Sequence, residues 1–312
     1  MNLPLRTLLF SGLIAAAVML DGACARAPAP LPGTIVVFNA GALALPVRQA
    51  LDSFAQRNHL EARQESAGSV ETVRKITELG RIPDLVALAD TALFSRFLDG
   101  RLASPVTVLG RTRLVLAYTP ASRYAGEITA ENWPEVTTRP GVQVGRSDPA
   151  LDPAGYRALI AMQLAERFYQ RPGLADALRS AAGPQNVRPK SADLVALLQT
   201  GNLDYAWEYE AVARRLGLSF VSLPREVDLG DAELAPVYAA ARVTVYGRGK
   251  VAAGPAGDGR PAARGSFVVQ GAPIVFGAAV PTGAENSAAG RRFLTYLMSA
   301  EGRKIFGTFG LR

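Results

Sequence analysis

From residue 34 onward, short apolar segments alternate with segments in which apolar residues recur every three or four positions. Thr34–Phe38 is typical of a buried strand, and Pro46–Arg57 is typical of an amphipathic helix with Pro in its first turn. Further strands are predicted at 60–65, 84–88, 113–118, 142–145, 204–207 and 273–280, and helices at 70–79, 152–169, 192–200, 287–299 and 301–306. This alternation predicts an α/β fold with largely parallel sheets and helices on both faces.

The preferred architecture is two α/β lobes around a cleft, with the chain crossing between the lobes more than once. A single doubly wound domain is the alternative. A stretch rich in Gly, Pro, Ala and Arg runs from Gly247 to Gly271 and predicts a surface loop. No internal repeat of 20–50 residues is visible, which argues against a solenoid.

The first 33 residues predict an export signal followed by a tether. Arg6 precedes an apolar segment, and small residues surround Cys24, so residues 1–25 have the organisation of a signal peptide. Cys24 stands where a lipoprotein would carry its lipid, although Asp21 departs from that pattern; ordinary cleavage after Ala25 or Ala27 is the alternative. Residues 26–33 are rich in Pro and Ala and predict a stiff tether. Both interpretations predict a periplasmic or extracytoplasmic protein.

Composition narrows the function. The 312 residues are 49% hydrophobic and 20% charged, as in a folded globular protein, and the net charge of +7 is spread along the chain. Nucleic-acid binding is not expected, because basic residues do not cluster. One Cys and one His, His59, argue against zinc or iron–sulfur sites and leave no nucleophile–base pair. We therefore expect a binding protein without a cofactor rather than an enzyme.

Several predicted loops share one design, in which a strand ends, small or polar residues follow, and a helix begins. They lie at Gly41-Ala42, Ser69, Asp152-Pro153-Ala154 and Ser191. A helix N-terminus offers unpaired N–H groups and about half a positive charge, so these loops are candidate anion ligands. Simple helix capping by Ser69, Asp152 and Ser191 is the alternative.

At these loops the sequence resembles the tungstate/molybdate-binding proteins of ABC importers. The similarity extends from about Val37 to Phe306. Its main segments are Phe38-Asn39-Ala40-Gly41-Ala42-Leu43, Ala67-Gly68-Ser69-Val70, Asp152-Pro153-Ala154-Gly155-Tyr156-Arg157, Val187-Arg188-Pro189-Lys190 and Leu203-Asp204-Tyr205-Ala206-Trp207-Glu208-Tyr209. The resemblance implies the type II periplasmic binding-protein fold, with two hinged lobes at 34–116 plus 247–312 and at 117–246.

The resemblance also implies a set of ligands for a buried oxyanion. The first Ser loop of the family falls on Gly41 and Ala42, the second on Ser69, a carboxylate that coordinates the Mo or W atom on Asp152, and a Tyr hydroxyl on Tyr209. Two positions depart from the family.

The first-loop Ser is Ala42 here, and the second carboxylate is Ser191. We therefore expect four- or five-oxygen coordination. Glu208 is a possible substitute, but it is adjacent to Tyr209 along a strand, so the two side chains should point to opposite faces.

Three functional hypotheses follow. In the first, the protein captures molybdate or tungstate and passes it, as a monomer, to an ABC permease in the membrane. In the second, a protein of the same fold binds another anion, such as sulfate, phosphate or a small organic anion. The third and most distant is an exported hydrolase.

Overall fold

The computed structural model describes residues 33–246, 251–252 and 266–311. The predicted signal peptide with Cys24, nearly all of the tether and most of the loop 247–271 lie outside the described residues. Within the described ranges, no helix combines the length and apolar character needed to cross a membrane.

The strands are β1 Thr34–Ala40, β2 Glu61–Ala67, β3 Leu85–Leu88, β4 Thr107–Arg111, β5 Leu114–Tyr118, β6 Val144–Ser147, β7 Val187–Arg188, β8 Tyr205–Tyr209, β9 Ser219–Ser222, β10 Arg242–Val245, β11 Val251–Ala252, β12 Phe267–Gln270 and β13 Val275–Ala279. The helices are α1 Ala44–Asn58, α2 Ser69–Thr77, α3 Ala92–Phe97, α4 Trp133–Thr137, α5 Pro153–Phe168, α6 Leu174–Ala181, α7 Ala192–Gln199, α8 Glu210–Arg215, α9 Ala235–Tyr238, α10 Ser287–Leu297 and α11 Ala300–Thr308. Short 3₁₀ turns occupy Gly41–Leu43, Pro184–Asn186 and Ala232–Leu234.

Two five-stranded sheets form the cores of two lobes. The first has the order β2-β1-β3-β13-β4 and the second the order β7-β6-β8-β5-β9. A three-stranded sheet, β11-β10-β12, accompanies them. The described residues therefore form the expected pair of α/β lobes rather than a single doubly wound domain.

Both sheets are mixed, which corrects the expectation of largely parallel sheets. In the first sheet β1 pairs in parallel with β2 and β3, but β13 runs antiparallel to β3 and β4. In the second sheet β6 pairs in parallel with β7 and β8, whereas β5 runs antiparallel to β8 and β9. The strands that run antiparallel to their neighbours, β5 and β13, are each the first strand that the chain forms in that sheet after a crossing between lobes.

The positions of these crossings differ from the sequence prediction. Strand β5 lies wholly in the second sheet, so the chain leaves the first lobe between Arg111 and Leu114, before the predicted boundary at 116/117. The predicted boundary at 246/247 falls between β10 and β11, inside the three-stranded sheet. The chain rejoins the first sheet only after β12, between Gln270 and Val275.

The first lobe packs α1, α10 and the following α11 around its sheet. Val47, Leu51 and Phe54 on α1 are buried, and Phe54 packs against Phe293 of α10 with ring centroids 5.1 Å apart. In the second lobe the long helix α5 is buried over most of its length, and Trp133 packs edge-on against Trp207 of β8. These cores hold the strand ends in fixed positions, and the candidate site is built on those ends.

Candidate functional site

The predicted loops meet where the two lobes face each other. Gly68, before α2 of the first lobe, lies against Leu151 of the second lobe. The Leu151 carbonyl accepts hydrogen bonds from the backbone N–H groups of Val70, at 3.0 Å, and Glu71, at 3.2 Å. Gly41 faces Lys190 and Ala192 at the start of α7. The structure therefore brings the β1–α1 and β2–α2 loops of one lobe against the helix starts of the other.

Asp152 lies where two helices begin. As the N-cap of α5, its Oδ1 accepts a hydrogen bond from the Ala154 N–H at 2.9 Å, as the Asp152-Pro153 sequence predicts. Its Oδ2 accepts from the Ser191 N–H, at the start of α7, at 3.0 Å. Asp152 is only 4% exposed, and this burial raises its pKa to about 6 despite the two N–H donors. Capping of α5 accounts for the bond from the Ala154 N–H. It does not account for the second bond, from Ser191 at the start of α7.

Ser69 and Ser191 do not cap their helices through their hydroxyl groups. Gly68 is the N-cap of α2, and Ser69 is its first residue, with its Oγ accepting from the Ala89 N–H at 2.9 Å. Ser191 is the N-cap residue of α7, but its side chain makes no capping bond. Both residues are fully buried, and Ser191 Oγ makes no hydrogen bond of normal geometry to any described residue. The capping alternative from the sequence is therefore wrong for these two residues.

Tyr209 is fully buried at the end of β8, and Arg157 of α5 contacts it directly. Arg157 Nη1 donates to the Tyr209 hydroxyl at 2.7 Å and to the Ala89 carbonyl at 2.6 Å. Burial raises the pKa of Tyr209, although the positive charge of Arg157 opposes this shift. Because Ala89 lies in the first lobe and Tyr209 in the second, Arg157 connects the lobes at the site. The sequence motif at the start of α5 contains Arg157, but sequence reasoning assigned it no role.

Asp90 completes this connection from the first lobe. The Tyr156 hydroxyl donates to the Asp90 carboxylate, and Arg157 Nη2 lies 3.5 Å from Asp90 Oδ2. Burial disfavours the charged form of Arg157, but the neighbouring Tyr209 and Asp90 outweigh it and raise the pKa of the guanidinium. Arg157 is therefore a fixed cation whose charge is already balanced by Asp90.

Glu208 is the group that sequence reasoning set aside. It is 0% exposed, and neither carboxyl oxygen has a hydrogen-bond partner of normal geometry among the described residues. Burial raises its pKa to about 8, and the nearby Asp152 carboxylate adds to the shift. Along β8, Glu208 and Tyr209 do alternate between faces, as expected. Both nevertheless interact electrostatically with Asp152, the N-cap of α5.

The first predicted loop, at Gly41 and Ala42, has no polar side chain that could bind a ligand. Gly41 and Leu43 of its 3₁₀ turn are buried, whereas Ala42 is partly exposed and packs beside the core. Pro153 and Ala154 are buried in the first turn of α5. Among the described residues, no cluster of three or more His, Cys, Asp or Glu side chains could hold a metal ion. The described site combines helix N-termini with the buried hydroxyl groups of Ser69, Ser191 and Tyr209 and the carboxyl groups of Asp152 and Glu208.

Comparison with known proteins defines the class. Residues 35–312 match the profile of the bacterial extracellular solute-binding proteins, and the chain belongs to this family. It is 35% identical over 277 residues to an uncharacterized solute-binding protein of Petrotoga mobilis, covering 88% of this chain and 82% of that one. The family consists of solute-binding proteins, so the prediction of a binding protein rather than an enzyme is confirmed, as is an extracytoplasmic location.

Two further comparisons refine this position. The chain is 31% identical over 300 residues to the molybdate/tungstate-binding protein WtpA of Thermococcus kodakarensis, covering 88% of this chain and 80% of that one. The sulfate-binding protein SubI of Mycobacterium tuberculosis shares the fold with a TM-score of 0.60 at 14% identity, covering 90% of this chain and 86% of that one. The type II two-lobed fold and the resemblance noted in the sequence are therefore confirmed.

Proposed function

We propose that this protein captures molybdate or tungstate outside the cytoplasm and delivers it to an ABC permease. The observation that carries the proposal is the placement of Asp152. Its buried carboxylate links the N-termini of α5 and α7 at the contact between lobes. Ser69, the first residue of α2, and Tyr209, the last residue of β8, are both fully buried.

The donor set suits an oxyanion of Mo or W. Helix N-termini attract negative charge through the helix dipole and their N–H groups, and Asp152 already accepts from the N–H groups of Ala154 and Ser191. A carboxylate such as Asp152 would repel an ordinary anion, but Mo and W accept an additional oxygen ligand, as sulfur in sulfate does not. The WtpA relative is named for molybdate and tungstate, which supports the same ligands here.

Sulfate, phosphate or a small organic anion is the second candidate. The observation in its favour is that Ser191, rather than a carboxylate, occupies the start of α7, and that Ala42 lacks a hydroxyl group. SubI, which has the same fold, is named for sulfate. With one carboxylate fewer at α7, the site has lost part of what distinguishes a metal oxyanion from sulfate.

Isothermal titration with molybdate, tungstate, sulfate and phosphate separates the two candidates. Tight binding of molybdate and tungstate alone supports the proposal, and a preference for sulfate or phosphate supports the second candidate. Asp152→Asn should weaken binding of the metal oxyanions at least tenfold, because it removes the carboxylate available to the metal. Asp99→Asn, at an exposed position, is the matched control and should bind like the wild type.

A further inference from the structure

Arg157 contacts groups in both lobes, but one of its contacts does not connect the lobes. Arg157 lies on α5 and is only 4% exposed. Its hydrogen bond to the Ala89 carbonyl, at 2.6 Å, and its ion pair with Asp90, at 3.5 Å, reach the first lobe. Its hydrogen bond to the Tyr209 hydroxyl, at 2.7 Å, joins two residues of the second lobe. A role in holding the lobes together therefore does not account for the bond to Tyr209.

The bond from Arg157 determines what the Tyr209 hydroxyl can do. A guanidinium group carries only donors, so the Tyr209 oxygen accepts from Arg157 and its O–H cannot donate to the same group. Among the described residues, none accepts a hydrogen bond from this hydroxyl. Buried Tyr hydroxyl groups usually find a partner, so the proton is available to a molecule bound beside it.

Arg157 also engages the acceptors of the first lobe that could compete for this proton. The Ala89 carbonyl accepts from the same Arg157 nitrogen that bonds Tyr209. The Asp90 carboxylate accepts from the Tyr156 hydroxyl and pairs with the other terminal nitrogen of Arg157. These contacts favour an orientation of the Tyr209 O–H away from the first-lobe backbone.

The ring of Tyr209 is held in the candidate oxyanion site. It is fully buried and packs edge-on against Phe276 of the first lobe, with ring centroids 5.2 Å apart. Tyr209 also interacts electrostatically with Asp152 at the start of α5, so the hydroxyl and this carboxylate belong to one site. Because packing fixes the ring, rotation about the C–O bond is the freedom that Arg157 restricts.

We propose that Arg157 is a positioning residue for oxyanion recognition, which binds the Tyr209 hydroxyl as a donor and thereby directs its O–H toward an oxygen of the bound anion. This inference rests on the proposed function and adds a residue outside the predicted ligand set. Arg157 acts through Tyr209 and needs no contact with the anion, since its own charge is balanced by Asp90.

A double-mutant cycle, measured by titration with molybdate and tungstate, separates positioning from support of the fold. Arg157→Gln introduces an amide, whose carbonyl can accept the Tyr209 proton, and Tyr209→Phe removes the hydroxyl. If Arg157 acts through Tyr209, the loss of affinity caused by Arg157→Gln should be at least about threefold smaller in Tyr209→Phe than in the otherwise wild-type protein. Equal losses in the two backgrounds overturn the inference.

Asp90→Asn is the matched control for the contacts between lobes. It removes the ion pair with Arg157 but keeps the side chain that bonds Tyr209. Its effect on affinity should be the same with and without Tyr209→Phe. A coupling as large as that of Arg157→Gln would assign the effect to the lobe contacts and overturn the inference.

Infrared spectra of the wild type give a second readout that does not depend on the stability of an Arg157 variant. The spectrum of the wild type minus that of Tyr209→Phe isolates the C–O stretch of Tyr209 from the nine tyrosines of the chain. This band differs between a phenol that only accepts a hydrogen bond and one that also donates to an anion, so saturating molybdate should shift it. A band that stays in place when molybdate binds overturns the inference.

The outcomes separate this inference from the proposed function. If the wild type binds neither molybdate nor tungstate, the proposed function fails and the role of Arg157 fails with it. If the wild type binds them but the cycle shows no coupling, or the Tyr209 band does not shift, the role of Arg157 is overturned while the function stands.

Discussion

Gly68 offers a direct test of whether ligand binding requires the two lobes to meet as they do here. Its φ of −63° and ψ of 147° are ordinary for any residue, so Gly68→Ala introduces no backbone strain within the first lobe. A Cβ at this position would, however, lie 2.2 Å from the Leu151 carbonyl oxygen of the second lobe. The substitution should therefore be tolerated when the lobes are apart and opposed when they close.

The magnitude follows from the contacts at Leu151. Restoring an ordinary contact requires the lobes to separate by about 1 Å, which breaks the hydrogen bonds from Val70 and Glu71 to the Leu151 carbonyl. Each bond contributes about 0.5–1.5 kcal/mol net. A loss of roughly 1–3 kcal/mol in the closed form weakens affinity by a factor of about 5 to 150.

Titration calorimetry with the oxyanion that the wild type binds measures this loss, and small-angle X-ray scattering with and without ligand measures closure. Gly307→Ala is the matched control, because Gly307 lies in α11 and a methyl group added there would meet no described neighbour within 4 Å. This variant should bind normally. Wild-type affinity in Gly68→Ala, with a normal decrease in radius of gyration, would refute the argument that these lobe contacts support binding.

Three other changes give distinct expected results. Ser191→Ala removes a buried hydroxyl that makes no normal hydrogen bond. The free energy of unfolding without ligand, measured by thermal unfolding, should therefore stay the same or rise by up to about 1 kcal/mol, while oxyanion affinity falls. Clear destabilisation would contradict this. The pKa of Glu208 is about 8 in the folded protein, above its ordinary value of 4.5, so the folded state binds this proton more tightly than the unfolded state does. The free energy of unfolding should therefore fall as the pH rises from about 4.5 to 8. Urea unfolding of Glu208→Gln should show a shallower fall over that window, and an identical profile would argue against the shift. Arg157→Met should destabilise the protein by about 3–5 kcal/mol in the same assay, because Asp90 would keep a partly buried charge without its cation, and a loss below about 1 kcal/mol would refute this.

The sequence predicts the local features of this site because they depend on neighbouring residues. Asp152 followed by Pro153 is a strong helix start, and the structure has the predicted cap. Ser69 and Ser191 look similar in sequence, but their hydroxyl groups do not cap. A Ser hydroxyl can bond its own helix or a distant segment, as Ser69 does with the Ala89 N–H just after β3. Which of the two occurs depends on tertiary contacts that a single helix start does not encode.

The non-local features are harder to predict. The direction of β13 in the first sheet and the crossing before β5 depend on which strands pair across long sequence separations. Arg157 lies on a helix whose periodicity gives no sign that its guanidinium reaches Ala89 in the other lobe. Hydrophobic periodicity identifies the elements, whereas the contacts between lobes require the completed fold.

Glu208 shows that a correct local rule does not decide which neighbours a side chain has in the fold. Alternation along β8 does separate Glu208 from Tyr209, but both faces of this strand are buried, and both side chains lie at the strand end near Asp152. The charges of the site bear on the residue at the start of α7. Arg157 is balanced by Asp90, and the N-termini of α2, α5 and α7 contribute about half a positive charge each. An ionised Asp152 already offsets most of that charge. A second ionised carboxylate would oppose a dianion. Ser191, which stands where the resemblance places a carboxylate, adds no negative charge at the start of α7 and is therefore compatible with the binding of an oxyanion.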